Sequence, residues 1–439
     1  MSASILTRPR APALAYTKSS IPPAAANLPE PANPEELIAS PIRAEIELSY
    51  SDPALRGLVD IEGLPKALTI SVPPTVPVSK DGCAFDPSAA ASRPPFCISV
   101  NVDLLVAPDA TFSDFAIVSS FLDQIFLPGL NLNVSNSTFF SSISGSILVP
   151  PASSSSSHSS SMAPCHSSSS SSSSGIAART DDDSTTLFDS RRTIITTTSG
   201  SIEGAFKLLD LLSLQTHSGS IKVDVSPQDA APAPELPKPA AFSASSLSGS
   251  VEVRYPIRAL GSEVPARNYT VHAESISGSV SGTFFHGEYT SLKSKSGHVE
   301  ASLLPVIVTE GKKSFLRTQT VSGSTEIDIH DPLYLLPDSD TTTNDVSDVS
   351  DDDDKGKFNG EHATVSGSLK LRYPGEWEGT ITGSSTSGSL DVRGKGVEVQ
   401  KKTDLPWSHQ LVAKKGDGNS HIGFHTTSGS VDLLVGEEV

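Results

Sequence analysis

The chain has 439 residues, 36% of them hydrophobic and 6% aromatic, with a formal net charge of −18. Such an acidic chain is a poor partner for nucleic acid, whose phosphates reward Lys and Arg clusters, and for an anionic membrane surface. The low apolar fraction argues against one compact core of this length and places much of the chain in linkers and insertions.

Residues 1–43 are rich in Pro and Ala without periodicity and are expected to form a disordered tail. The opening MSASILTRPRAPALAYTKSS has no apolar core of a secretory signal, and no later run approaches the ~18 apolar residues of a membrane span. As written, the chain is expected in the cytoplasm, and at the cell surface if an export segment is missing ahead of it.

Residues 44–149 read as N-terminal strands followed by the first repeat units. Ala44–Tyr50, Leu68–Val72 and Ile98–Val106 alternate apolar with polar residues, as half-buried strands do, and Pro108-Asp109-Ala110 makes a turn. Thr111–Leu127 looks like a repeat unit lacking the signature of those that follow. Of the three cysteines, Cys83 and Cys97 either pair or remain free thiols, and Cys165 beside His166 lacks the ligand count of a metal site.

Residues 150–191 are a Ser-rich linker, suited to remain solvated. Residues 192–437 carry a repeated phrase, interrupted by a Pro-rich insertion at 226–240 and by another at 336–360 containing the acidic run Asp338–Asp354.

The phrase is Ser-Gly-Ser followed by an aliphatic residue and then polar/apolar alternation. Its glycines are Gly145, Gly200, Gly219, Gly249, Gly278, Gly297, Gly323, Gly367, Gly388 and Gly429, the first copy preceding the linker. Serine precedes all ten and follows nine, with His298 the exception, while Thr325 replaces the aliphatic residue once. After the glycine, Val251, Val253 and Tyr255 alternate with Glu252 and Arg254, which gives a strand with one buried and one wet face.

The glycine has two readings. It sits in a bend or bulge between two short strands, the slightly favoured reading, or inside a strand where another backbone leaves no room for a Cβ. Ile143, Leu247, Ile276, Val321 and Val365, each two residues before a glycine, favour the second by placing it on the apolar parity. Successive glycines lie 55, 19, 30, 29, 19, 26, 44, 21 and 41 residues apart. A unit near the shortest step is too small for its own core and must stack. The expected fold is therefore an all-β repeat β-solenoid of the parallel β-helix type, with long extruded Ser-rich and Asp-rich loops.

No chemistry-bearing motif stands out. His217, His298 and His425 lie in or beside phrases and read as solvated strand positions. Glu252, Glu300, Asp328 and Asp391 read as an ordinary wet face. There is no nucleophile elbow, phosphate loop, dinucleotide fingerprint or zinc spacing, and Asp338–Asp354 lacks a calcium-loop pattern. The expectation is no catalytic residue, no cofactor and no metal. Asn133, Asn136 and Asn268 begin candidate glycosylation sequons, which matter only for an exported chain.

The ten phrases, following the strand Ile98–Val106 and the turn at Pro108, resemble the adhesin family built around the domain of unknown function DUF4097. The likeness covers roughly residues 98–149 and 192–437. It implies a β-solenoid-like domain with a surface or adhesive role and brings no catalytic residues. The expected function is a non-enzymatic adhesin-like or surface-structural protein with a protein or glycan ligand. The alternatives are an intracellular scaffold with phosphorylatable loops and a polysaccharide-acting β-helix enzyme, which would need paired carboxylates on neighbouring units.

Overall fold

The computed structural model describes residues 2–9, 15–17, 42–50, 59–64, 67–71, 98–107, 110–127, 130, 132–150, 188–230, 238–257, 264–309, 311–335, 357–405 and 407–437. Cys83, Cys97, Cys165, the serine tract at 151–187 and the run Asp338–Asp354 lie outside the described residues.

The first six strands are β1 (Ser2–Pro9), β2 (Ala15–Thr17), β3 (Ile42–Tyr50), β4 (Asp60–Leu64), β5 (Ala67–Ser71) and β6 (Ile98–Val106). Eleven coils among the described residues then follow, each formed by a strand, a corner and a second strand. They begin with β7 (Thr111–Ser119) and β8 (Gln124–Ile125), β9 (Leu132–Ser142) and β10 (Ile147–Val149), and β11 (Phe188–Thr197) and β12 (Ile202–Leu208). Next come β13 (Leu211–Thr216) and β14 (Ile221–Pro227), β15 (Ala240–Ser246) and β16 (Val251–Arg254), and β17 (Tyr269–Ser275) and β18 (Val280–His286). The series continues with β19 (Tyr289–Ser294) and β20 (Val299–Ile307), β21 (Ser314–Ser322) and β22 (Thr325–Ile329), and, after the short β23 (Leu333–Tyr334), β24 (Phe358–Ser366) and β25 (Leu369–Tyr373). It ends with β26 (Gly379–Ser387) and β27 (Leu390–Arg393), a hairpin of β28 (Val397–Leu405) and β29 (Ser408–Lys415), and β30 (Ser420–Ser428) and β31 (Val431–Val435).

The first strands of the coils stack in parallel into one sheet, and the second strands into another. The chain is thus an all-β solenoid with two sheets enclosing one core. The alternation read from the sequence sets the faces: Val251, Val253 and Tyr255 are buried, as are Leu369, Leu371 and Tyr373, and Val431, Leu433 and Val435. Because every coil repeats the pattern, like residues stack in columns. Ile147, Ile202, Ile221, Val251, Val280 and Val299 form one such column through the second sheet.

The coils do not stack wholly in chain order. The last coil, β30–β31, inserts between β24–β25 and β26–β27, so the first sheet runs β24, β30, β26, then β29 and β28. β29 pairs antiparallel with β26 and extends that sheet. At the other end, β1, β5 and β4 prolong the first sheet antiparallel beyond β7, while β3 and β6 pair in a small separate sheet. Ala44, Ile46, Leu68 and Ile70 form a second, smaller core there.

Within the tail 1–43, the described stretches Ser2–Pro9 and Ala15–Thr17 are strands. Ser2–Pro9 has no periodicity of its own; its partners β5 and β7 supply the pairing. β11 begins at Phe188, within the stretch 150–191, and β24 at Phe358, within the insertion 336–360. The insertion 226–240 is described at its two ends, 226–230 and 238–240. Among the described residues no helix is long and apolar enough to cross a membrane.

Candidate functional site

The corners join the bend of the first reading of the phrase glycine to the close backbone approach of the second, with the glycine between strands rather than inside one. Each glycine lies in a turn between the two sheets, and each also stacks on the corner of a neighbouring coil. A Cβ built on Gly249 overlaps the Gly219 carbonyl, one on Gly219 the Gly200 carbonyl, and one on Gly200 the Gly145 carbonyl. The ladder continues through Gly278, Gly297, Gly323, Gly367 and Gly429 to Gly388, in the order of the strands rather than of the chain. Gly145 stacks on Leu122 of the first coil, the unit lacking the glycine signature.

The aliphatic residues two positions before the glycine are not on the inner parity. Ile143 and Val365 are 50% and 47% exposed, and Leu247, Ile276 and Val321 are exposed too. The chain turns just before the glycine, so alternation does not carry through the corner. The inward position is one residue earlier, and there the structure reveals a signal the sequence reading missed. Ser142, Thr197, Thr216, Ser246, Ser275, Ser294, Thr320, Thr364, Ser385 and Thr426 all stand three residues before a phrase glycine, and all are buried.

Four of these hydroxyls tie adjacent coils together, while those of Ser385 and Thr426 have no hydrogen-bond partner among the described residues. The side-chain oxygens of Thr216, Ser246, Ser275 and Ser294 accept from the N–H of their own glycine at 2.8–3.0 Å. Each donates to the glycine carbonyl of the adjacent coil, also at 2.8–3.0 Å. At these four corners the buried backbone is thereby satisfied, which explains why a hydroxyl occupies an otherwise apolar interior there.

A second buried polar group lies deeper. His362 Nδ1 is 2.8 Å from Thr318 Oγ1, and its Nε2 is 2.7 Å from the Tyr373 hydroxyl. A Cβ on Gly360 would fall on that hydroxyl, so the glycine makes room for the contact. His286 pairs through Nδ1 with Thr290 Oγ1 at 2.8 Å. Burial pushes both imidazoles down to about 3, so both stay neutral, while Tyr373 is pushed up by the same desolvation. No local spacing signals this group, because His362 and Tyr373 come from the two strands of one coil and Thr318 from the coil beside it.

The two outer faces differ in chemistry. The second sheet carries charges that pair across coils: Lys222 with Glu252 at 3.8 Å, Lys370 with Glu326 at 2.6 Å and Arg393 with Asp432 at 2.7 Å. Glu300, Asp328 and Asp391 lie on this face, in register with Glu326, Ser302 and Asp432. The first sheet instead presents mostly uncharged polar residues, among them Ser213, Gln215, Ser243, Ser245 and Thr270.

Toward the C-terminal end the first sheet's outer face forms an open concavity of about 450 Å³ across β21, β24, β30, β26 and β29. Small residues, Ala363 and Gly423, line it together with Arg317, Glu361, Ser384 and Gln410. Ser384 Oγ lies 2.9 Å from His425 Nδ1, and Thr382 Oγ1 lies 2.8 Å from His421 Nε2. Two half-buried rings, Tyr289 and Phe315, stand on the same face with centroids 6.0 Å apart and planes 8° from parallel.

No family model, curated protein or solved structure matches the chain. The likeness to DUF4097-type adhesins thus rests on the sequence pattern alone, the ten phrases with the strand Ile98–Val106 and the turn at Pro108.

Of the other singled-out residues, His217 is exposed at a corner, and His298 Nδ1 lies 2.8 Å from Ser324 Oγ in the adjacent coil. His425 lines the concavity. Asn133 and Asn136 are exposed on β9, and Asn136 Nδ2 donates to Asp114 Oδ1 at 2.7 Å. Asn268 precedes β17, and its carbonyl accepts from the Ala240 N–H at 2.8 Å. Among the described residues no three His, Cys, Asp or Glu side chains gather as a metal-binding group.

Proposed function

We propose that the protein is a non-catalytic, adhesin-like binding protein that holds a protein or glycan ligand against the outer face of its first sheet. The contrast between the two outer faces carries this reading. On the second sheet Lys222, Lys370 and Arg393 each pair with an acid of a neighbouring coil, and such exposed pairs contribute little beyond solubility. The first sheet offers many hydroxyl and amide groups on a rigid support, and where charges interrupt them, as at Glu274 beside Lys293 and Arg317 beside Glu361, the neighbours are of opposite sign. Parallel strands about 4.8 Å apart repeat these groups at even intervals, which suits an extended ligand.

The concavity supports binding better than hydrolysis. Glycoside hydrolysis ordinarily uses two carboxylates, and the lining of this concavity holds one, Glu361.

The test uses the full chain against arrays of cell-surface glycans and glycoproteins. Ser245→Lys with Gln319→Lys, on the first sheet, is expected to reduce binding. Ser281→Lys with Ser302→Lys, on the second sheet, is expected to leave it unchanged. The opposite pattern, or equal effects of both pairs, would overturn the assignment of the face.

A further inference from the structure

The concavity on the first sheet singles out one class of ligand. Arg317 on β21 and Glu361 on β24 are register partners, side by side on adjacent parallel strands. Both are exposed and both line the concavity. Among the described residues neither forms an ion pair or a side-chain hydrogen bond, whereas Lys222–Glu252 and Lys370–Glu326, in register on the second sheet, do pair. Here a five-donor fork and an acceptor-only carboxylate both lie open to one ligand. Gln410 adds an amide with both donors and an acceptor.

Beside them, the Ser291 hydroxyl on β19 is buried and lacks a hydrogen-bond partner. Ser291 lies in register between His272 and Arg317. Tyr289 and Phe315 each precede a member of this row by two residues on the same face, adding apolar surface next to the polar groups.

We infer that this concavity binds a neutral oligosaccharide, with the chain lying across β30, β24 and β21 and reaching β19. Vicinal hydroxyls are the groups that satisfy an arginine fork and a carboxylate at once, because each hydroxyl both accepts and donates. The C–H surfaces of a sugar ring meet Tyr289 and Phe315. The small residues Ala363 and Gly423 leave space for a ring to approach the sheet, and the volume lies within the range of small-ligand clefts. One positive and one negative group make the site neutral overall, and the chain's net charge of −18 disfavours a polyanionic glycan.

This inference rests on the binding role proposed above and adds the ligand class and the residues. The experiment titrates the full chain with neutral gluco-, manno- and galacto-oligosaccharides and with their uronic-acid counterparts. Arg317→Gln and Glu361→Gln replace exposed side chains, and Arg372→Gln on the second sheet is the control. One neutral series is expected to bind. Each site variant is expected to weaken binding about tenfold or more, as loss of a charge-assisted hydrogen bond does, with the control unchanged. Binding of uronic oligosaccharides alone would overturn the ligand class. Neutral binding unaffected by both site variants would overturn the site. A protein ligand held by the first sheet, with no glycan binding, would refute this inference while leaving the binding role standing.

Discussion

Replacing Gly249 with alanine tests whether the corner glycines are required by stacking. The added Cβ would lie 2.8 Å from Ser220 N and still closer to the Gly219 carbonyl, all backbone that no rotamer change can move. The backbone at Gly249 is not among the positive-φ glycines, so the effect is purely one of space. Relief requires the two coils to separate by about an ångström, which strains three hydrogen bonds. These are Ser246 Oγ to the Gly219 carbonyl at 3.0 Å, Ser248 N to the His217 carbonyl at 3.0 Å and Ile221 N to the Ser250 carbonyl at 2.9 Å. At about 1 kcal/mol each, with a further 1–2 for overpacking, the expected destabilisation is about 4–5 kcal/mol. The comparison is Gly396→Ala, where φ is +79° and a Cβ meets nothing within 4 Å. Backbone strain alone should cost about 1–2 kcal/mol there. Urea unfolding of both variants measures the difference. Amide exchange should locate the Gly249 damage in β13–β17, since each coil touches only its neighbours. A Gly249→Ala midpoint no lower than that of Gly396→Ala would refute the stacking account.

Acid should destabilise the fold through His286 and His362. Their folded values near 3 lie below the unfolded value of 6.5, so the unfolded chain binds more protons between these limits. This contribution is complete above pH 6.5 and is lost as the pH falls toward 3; between pH 6.5 and 5 the loss is about 2 kcal/mol per histidine. The double variant His286→Gln with His362→Gln should flatten the urea midpoint against pH in that window, and an unchanged slope would dismiss this origin. Gly360→Ala would push against the Tyr373 hydroxyl and approach His362 Nε2 to 3.0 Å, a cost of about 2 kcal/mol. Adding Tyr373→Phe removes the obstructing oxygen, so the double variant should be less destabilised than the sum of the singles; strict additivity would argue against the contact. Ending the chain at Lys415 removes β30–β31 from its slot between two coils, with Ile422, Phe424, Val431, Leu433 and Val435 buried in it. At about 2 kcal/mol per buried side chain, roughly 10 kcal/mol is lost. β26–β29 should then lose exchange protection, and retained protection there would contradict the inserted topology.

The sequence by itself determined the repeating architecture. Alternation after each glycine, as in Val251-Glu252-Val253-Arg254-Tyr255, settles which side chains face the core because side chains along a strand alternate strictly. The short glycine spacing forces stacking, since a coil of about twenty residues cannot enclose a core alone. The column of Ser and Thr three residues before each glycine was equally visible, but its inward direction was not. Strand parity fails at a corner, so Ile143 and Leu247 face solvent where alternation carried through the glycine would bury them.

Only the tertiary structure decided what depends on contacts between distant segments. The insertion of β30–β31 ahead of β26–β27 leaves no trace in phrases that look alike in either order. The contact of His362 with Thr318 and Tyr373, and the space Gly360 leaves for it, spans separate strands. The concavity likewise needs Arg317, Glu361, Gln410 and His425 from four strands that stacking alone brings together. Local patterns record which way a residue faces along its own strand, whereas neighbours across strands are fixed by the order in which the coils pack.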